Sequence, residues 1–186
     1  AAALAPALNR ELPADIRVLA AREVPKSFHA HWSSIGKQYR YRISFTGGPR
    51  AWRLPTELCL IGSLDRTLLE RALERLRAAP DLSAFCADKE RRIRTVARLD
   101  VLRFDAGAVE LEIEGPGFGK YMVRKLISAA VEVAGGRVPL DDLDGMLAGT
   151  APRPWKAPAD GLTLHRVLYP MDADPFSDVD PDGWPT

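Results

Sequence analysis

The sequence has 186 residues, of which 46% are hydrophobic and 27% charged, with 26 Lys and Arg residues against 25 Asp and Glu residues. This composition is typical of a globular domain and excludes disordered, collagen-like and disulfide-scaffold proteins. No apolar run reaches the roughly 20 residues of a membrane span, and the first residues lack the basic start of a secretory signal. We therefore expect a cytoplasmic protein with no membrane contact.

The net charge of +1 is unevenly distributed. Beyond Pro170 the sequence holds five Asp residues and no Lys or Arg, so residues 1–170 carry a net charge of +6. A body with this charge attracts polyanions, although basic side chains scattered over a solvated surface would give the same composition. The acidic, Pro-rich tail at 171–186 is predicted to be disordered.

The first quarter of the chain predicts two strands. A mixed alternation of apolar and polar residues at 15–24 indicates a short strand within a linking segment, residues 1–26. A clear period of two follows within residues 27–45. One face of this second strand carries Tyr39, Tyr41 and Ile43, and the other carries Arg40 and Arg42.

The middle of the chain predicts an amphipathic helix and a β-hairpin. After a cap-like Asp65, apolar residues recur at helical spacing until Pro80 ends the pattern. Alternating segments on both sides of an Asp-Ala-Gly turn then predict the hairpin. Its inward-facing residues are expected to be Val109, Leu111 and Ile113.

The last third predicts two helices and a strand. Glycines open a long helix of about five turns that closes on Gly135 and Gly136, and a shorter helix follows Pro139. The final strand is expected to point Leu162, Leu164 and Val167 inward. This order predicts an α+β fold over residues 27–170, with one mostly antiparallel sheet and helices packed on one face.

Metal, nucleophile and phosphate-loop chemistry have weak support. His29 and His31 would share one face of a strand, but no third ligand stands at a recognisable spacing, so two ordinary side chains are favoured. Cys59 and Cys86 show no CxxC spacing and are expected to be reduced, with a Cys–His nucleophile pair left open. The glycines at 115–119 could bind an anion but match neither a dinucleotide nor a Walker pattern. We expect neither a metal nor a cofactor.

Two segments favour nucleic acid as a partner. Residues 37–42 interleave cations with tyrosines, so rings could stack on bases while cations reach phosphates; a core aromatic face backed by solvated arginines explains the pattern equally well. In the long helix, Tyr121, Arg124 and Ser128 belong to a polar stripe that usually faces water. Inside a cleft, Arg124 would suit a carboxylate or phosphate. The candidate RNA contacts are Lys37, Arg40, Arg42, Arg91, Arg92, Arg94 and Lys120.

Four ordered blocks of the sequence resemble the tRNA pseudouridine synthase A family. They are residues 7–43, DLSAFC at 81–86, GFGKYMVRKLISAAVEVAGGR at 117–137 and APADGLTLHRVLYP at 157–170. The resemblance implies isomerisation of uridine to pseudouridine in the anticodon stem-loop of tRNA by a cofactor-free homodimer. It also implies two ferredoxin-like α+β halves around a basic cleft, and this chain is similar to the later half.

The resemblance also implies roles for three residues. Tyr39 in KQYRY is similar to the active-site tyrosine that stacks on the target base and helps remove its C5 proton. Arg124 in YMVRK is similar to the arginine that pairs with the catalytic aspartate, and Leu162 in ADGLTL to the apolar residue under the target nucleotide. Each also has a plain structural interpretation as a core tyrosine, a solvated arginine and a strand leucine.

The sequence departs from the family pattern at two places. The family usually has Arg where this sequence has His31. The family's nucleophilic aspartate lies in an Arg-Thr-Asp segment upstream of the first block, and no Arg-Thr-Asp occurs in this sequence. We therefore expect this chain to be the C-terminal part of a longer protein and to be inactive alone.

Two other functions stay open at this point. The first is a non-catalytic RNA-binding module with the same fold, and the second is a small α+β domain that mediates oligomerisation without any RNA. Absence of tRNA binding at low salt would exclude both RNA functions.

Overall fold

The computed structural model describes residues 3–45, 56–87, 92–152, 155–180 and 182. The chain divides into two compact units, one formed by Ala1–Ile35 with Arg166–Thr186 and the other by Gly36–His165. The expected division of the chain into a linking segment (1–26), a domain (27–170) and a tail (171–186) is not tested by these units and stays a prediction.

A five-stranded sheet is the framework of the fold. Its strands are β1 (Gly36–Ser44), β2 (Leu58–Cys59), β3 (Arg98–Asp105), β4 (Ala108–Gly115) and β5 (Leu162–Leu168). Strand β4 pairs antiparallel with both β1 and β3, and the short β2 pairs parallel with β1. Because β4 covers one whole edge of β1, β2 and β5 share the opposite edge.

Four α-helices complete the described elements. They are α1 (Leu4–Glu11), α2 (Arg66–Ala78), α3 (Met122–Ala134) and α4 (Asp142–Ala148), with a 3₁₀ turn at Ser83–Phe85. The succession β1, α2, β3, β4, α3, β5 is the βαββαβ arrangement of a ferredoxin-like fold. The predicted α+β class with a mostly antiparallel sheet is confirmed.

The two faces of the sheet differ in polarity, which explains why helices cover only one of them. Alternating residues of β1 and β4 are buried in a single core together with α2 and α3: Tyr41, Ile43, Val109, Leu111 and Ile113. The opposite face carries charged residues in cross-strand ion pairs. The expected inward residues of the hairpin are therefore the core residues of β4.

The amphipathic helix begins where the sequence predicts. The Asp65 carboxylate accepts a hydrogen bond of 2.8 Å from the Leu68 N–H, which satisfies one of the orphan donors of the first turn of α2. The apolar stripe of α2 is buried against α3 and β3. Helical spacing and the cap together explain this element without reference to the rest of the chain.

Three sequence expectations are wrong. Residues 15–24 form no strand; instead the Asn9 side-chain amide exchanges two hydrogen bonds of 2.8 Å with the Val18 backbone. Helix α3 is shorter than five turns because Tyr121, with a left-handed φ of 66°, keeps the preceding glycine-rich segment out of the helix. Leu164 of β5 is not buried as expected, since it is 48% exposed.

The first unit also contains the described part of the acidic tail. Asp178 forms an ion pair of 2.6 Å with Arg22, and Asp174 one of 3.3 Å with Arg166. The expected disorder of the tail stays a prediction. Among the described residues, no helix has the length and apolar character required to cross a bilayer.

Candidate active site

Tyr39, Arg124 and Leu162 line one hollow of about 270 Å³. They come from three different elements, since Tyr39 lies on β1, Arg124 in the first turn of α3 and Leu162 at the start of β5. Phe118 and Tyr121 are further aromatic residues of the lining. The fold thus brings together three residues that are far apart in the sequence.

Tyr39 lies at the open end of the apolar face of β1. It has the same orientation as the buried Tyr41 because the two are separated by two positions on the strand, but it is only partly buried. Its ring meets the Phe118 ring edge to face, with centroids 5.3 Å apart and planes at 86°. Burial raises the pKa of the Tyr39 hydroxyl above its ordinary value, which already lies well above neutral pH.

Arg124 is fixed by the segment that follows α4. Its Nε donates a hydrogen bond to the Ala157 carbonyl, and the Ala157 N–H donates one of 3.3 Å to the Arg124 carbonyl. An arginine has five N–H donors in a planar fork. Fixing Nε therefore orients the guanidinium while the donors on its two Nη atoms remain suited to a carboxylate or phosphate.

The same helix face holds residues 155–158. Ser128 Oγ donates a hydrogen bond to the Trp155 carbonyl, and the Trp155 indole N–H donates one of 2.6 Å to a Glu132 carboxylate oxygen. Arg137 donates a hydrogen bond to the Glu132 carboxylate and holds the pKa of Glu132 below its ordinary value. The carboxylate that accepts the Trp155 hydrogen bond therefore stays ionised. Arg124, Ser128 and Glu132 thus form a polar stripe that faces protein rather than water.

Gly161 places Leu162 against the hollow by a close approach of two backbones. The Arg42 N–H donates a hydrogen bond of 3.0 Å to the Gly161 carbonyl. A Cβ at position 161 would lie 2.6 Å from the Arg42 carbonyl oxygen and 2.9 Å from the Tyr41 ring. Only glycine fits between β1 and the start of β5 without a shift of the backbone.

We expect Gly161→Ala to lower the free energy of unfolding by roughly 1–3 kcal/mol, because the added methyl group overpacks a site walled by backbone. Urea denaturation measures this loss. Gly117→Ala is the matched control, since its Cβ would meet only the Arg94 guanidinium at 3.6 Å. Equal losses for the two variants would contradict the close-approach argument.

The predicted RNA contacts occupy different environments. Arg40 and Arg42 lie on the face of β1 opposite Tyr39, and they pair with Glu112 at 3.7 Å and Glu110 at 3.0 Å. Glu110 thus matches the charge of Arg42, whereas Arg40 shares Glu112 with Arg98, which lies 2.8 Å from that carboxylate. Arg91 lies outside the described residues, and Lys37 belongs to β1 without lining the hollow.

The DLSAFC block supports the basic segment that follows it. One Asp81 carboxylate oxygen accepts the N–H groups of Ser83 and Arg94, at 2.8 and 3.0 Å, and the other accepts the Ser83 hydroxyl. These bonds, led by that from Arg94, hold the pKa of Asp81 below its ordinary value. The backbone of Arg94 is therefore fixed by Asp81. Of the other predicted RNA contacts, Arg92 is exposed and Lys120 lines the hollow.

The histidines and cysteines take structural positions. His29 Nδ1 accepts the N–H groups of His31 and Trp32 within a turn, so the two histidines do not lie on a strand. Cys59 and Cys86 are free thiols, the first exposed and the second buried. No group of three or more His, Cys, Asp or Glu side chains that could hold a metal ion occurs among the described residues.

Sequence reasoning missed Phe118, Trp155, Lys156 and Ala157 as neighbours of the site. Phe118 contacts the Tyr39 ring, and the carbonyls of Trp155 and Ala157 accept hydrogen bonds from Ser128 and Arg124. The Lys156 ammonium lies over the Tyr121 ring, 3.9 Å from its centroid. The spacing of Arg124, Ser128 and Glu132, four residues apart, is the one signal that could have indicated a covered polar face.

Comparison with known proteins identifies a family model and several relatives that match this chain. A family model described as tRNA pseudouridine synthase matches residues 72–170. A protein named tRNA pseudouridine synthase A from Akkermansia muciniphila is 38% identical over 89% of this chain and 67% of its own length. Proteins of the same name from Bacillus pumilus and Staphylococcus aureus are 34% and 30% identical, over 68% and 62% of their lengths.

The chain spans about two thirds of the length of the curated relatives it matches. The matched region of the family model includes α3 and the start of β5, which carry Arg124 and Leu162. The extent of these matches leads to one conclusion: the chain belongs to the tRNA pseudouridine synthase family.

Proposed function

We propose that this chain takes part in the isomerisation of uridine to pseudouridine in tRNA, and that the target uridine enters the hollow lined by Tyr39, Arg124 and Leu162. The observation that carries the proposal is the convergence of an aromatic ring, a guanidinium and an aliphatic side chain from three elements on one hollow. The names of the relatives support tRNA as the substrate.

The reaction needs a carboxylate that the lining does not contain. The C–N glycosidic bond of uridine breaks, the base turns, and its C5 bonds to the sugar; C5 loses its proton and N1 gains one, so that the product is an isomer of uridine. A neutral substrate of this kind requires a nucleophile or base near C1′. No Asp or Glu lines the hollow in the described part of the chain. The resemblance to the family implies that this carboxylate belongs to an Arg-Thr-Asp segment, which the sequence does not contain, and we expect the chain alone to be inactive.

Arg124 and Tyr39 then have distinct contributions. The guanidinium lowers the pKa of an incoming carboxylate and keeps it ionised. The Tyr39 ring offers a stacking surface that offsets part of the cost of taking the base out of the RNA stack, a few kcal/mol. The ordinary pKa of a tyrosine lies well above neutral pH and burial raises that of Tyr39 further, so at neutral pH Tyr39 contributes as a ring and a hydrogen-bond donor.

The basic residues near the hollow are the proposed RNA contacts. Lys120 lines the hollow itself, and Arg94 lies beside Gly117 in the loop that leads to it. Arg40 and Arg42 contribute less in this proposal because they lie on the face of β1 opposite Tyr39, where they pair with Glu112 and Glu110. Lys37, Arg91 and Arg92 stay proposed contacts. Family membership supports a homodimer, and the tRNA substrate supports a cytoplasmic location.

The proposal is tested by tRNA binding and by pseudouridine formation. We expect the purified chain to bind tRNA at low salt, and binding to weaken as salt rises because phosphate contacts release counterions. A chimera, in which the unmatched part of the Akkermansia relative is joined ahead of this chain, should release tritium from tRNA that carries 5-tritiated uridine. The chain alone should release none.

Absence of tRNA binding at low salt would overturn the proposal. Binding by a correctly folded chimera that forms no pseudouridine would instead favour a non-catalytic RNA-binding module. Circular dichroism of the chimera establishes folding independently of activity.

A further inference from the structure

Three cationic groups surround the ring of Tyr121 at the edge of the hollow. Lys156 Nζ lies 3.9 Å from the ring centroid, Lys120 Nζ 5.3 Å and the Arg124 guanidinium carbon 5.8 Å. All three distances fall within the range of cation–π attraction. The ring therefore holds two lysine side chains beside the arginine of the site.

The backbone of Tyr121 is itself unusual. Tyr121 is the non-glycine residue with positive φ among the described residues, at φ 66° and ψ 2°, directly before α3. A left-handed conformation costs a bulky residue about 1–2 kcal/mol, which the surrounding structure must offset. Despite this cost the ring is 39% exposed, so burial of the ring does not account for the conformation.

The charges around Tyr121 are those of an anion site. Lys120 and Lys156 are both exposed, and like charges near one ring repel one another. No carboxylate lines the hollow within the described residues. A polyanion bound across this edge would relieve the repulsion and gain charge-assisted hydrogen bonds.

We propose that Lys120 and Lys156, positioned by Tyr121, bind the RNA phosphates that flank the nucleotide held in the hollow. This inference rests on the proposed function and deepens it, because it names the part of the RNA that the edge of the site contacts. Tyr121 is a positioning residue: its ring places the two ammonium groups. Lys120 is predicted from the sequence as an RNA contact; the structure adds Lys156 and Tyr121.

The salt dependence of tRNA affinity tests the inference. In filter binding from about 50 to 300 mM salt, Lys156→Gln should reduce the slope of log affinity against log salt by about one, as expected for loss of one phosphate contact. Lys156→Arg should keep the wild-type slope. Arg71→Gln, which removes one positive charge from the exposed side of α2, is the matched control and should leave the slope unchanged.

Tyr121 provides a variant that changes no charge. Tyr121→Leu should reduce the slope as Lys156→Gln does, because the lysines lose the ring that places them, whereas Tyr121→Phe should not. Thermal unfolding of each variant reports its stability, and if Tyr121→Leu does not fold, Lys156→Gln decides alone.

The outcomes separate this inference from the proposed function. A wild-type chain that fails to bind tRNA at low salt overturns both. A wild-type chain that binds, together with a Lys156→Gln slope equal to that of Arg71→Gln, overturns only the phosphate contact and leaves Lys156 a structural tether.

Discussion

Arg124→Met in the chimera is expected to lower the rate of pseudouridine formation by about a hundredfold or more, with tRNA affinity reduced by no more than about threefold. Loss of one preorganised charged group at a reacting centre typically has an effect of this size. Affinity should change little because phosphate contacts over the whole surface supply most of it. Single-turnover tritium release and filter binding measure the two quantities separately.

The pH profile shows whether Arg124 acts on the carboxylate or only supports the fold. Without the guanidinium, the pKa of the essential carboxyl group should rise, so the acid limb of the rate profile should move to higher pH. Arg124→Lys keeps the charge but loses the planar fork, and its limb should move less.

Ser128→Ala is the structural control for Arg124. It removes the hydrogen bond from Ser128 Oγ to the Trp155 carbonyl, and so loosens the same segment, while the guanidinium stays in place. An Arg124→Met variant that loses no more activity than Ser128→Ala, with an unmoved acid limb, would show that Arg124 is merely structural.

Local sequence patterns were enough to predict the elements whose apolar residues recur with the period of a strand or a helix. The period of two in β1 and β4 and the leucine spacing of α2 reflect burial on one face, and burial is what such periods measure. Helix α1 was not predicted. Its Leu4 and Leu8 are 51% and 40% exposed, so no buried face distinguishes it, and no side chain caps its first residue. Residues 15–24 were misassigned because their alternation is not matched by a pairing strand.

The site could be predicted only in part. The resemblance supplied Tyr39, Arg124 and Leu162, and the fold brings them to one hollow. The contacts that fix them could not be read from the sequence, because Arg124, Ser128 and Tyr41 bond to backbone carbonyls of residues 155–158. A carbonyl acceptor is present at every residue, so it leaves no mark in the residue type.

Tyr39→Ala should reduce pseudouridine formation by the chimera about ten- to a hundredfold, while tRNA affinity falls by no more than about threefold. Stacking on an aromatic ring contributes roughly 1–3 kcal/mol per base, and here it acts on a base that has already left the RNA stack. The variant should therefore lose little tRNA affinity. Its reaction rate should fall, because the extruded base no longer stacks on the Tyr39 ring, which packs perpendicular to Phe118.

Two phenylalanine variants decide which part of Tyr39 is used. Tyr39→Phe should retain most of the activity, because it keeps the ring that stacks on the base and removes only the hydrogen bond of the hydroxyl. Tyr41→Phe, which removes the hydroxyl bonded to the Pro158 carbonyl at 2.9 Å in the adjacent core position, controls for general loosening of β1. If Tyr39→Phe were as inactive as Tyr39→Ala, the hydroxyl would carry the role. Equal losses of turnover and affinity in Tyr39→Ala would make Tyr39 a residue of the fold alone.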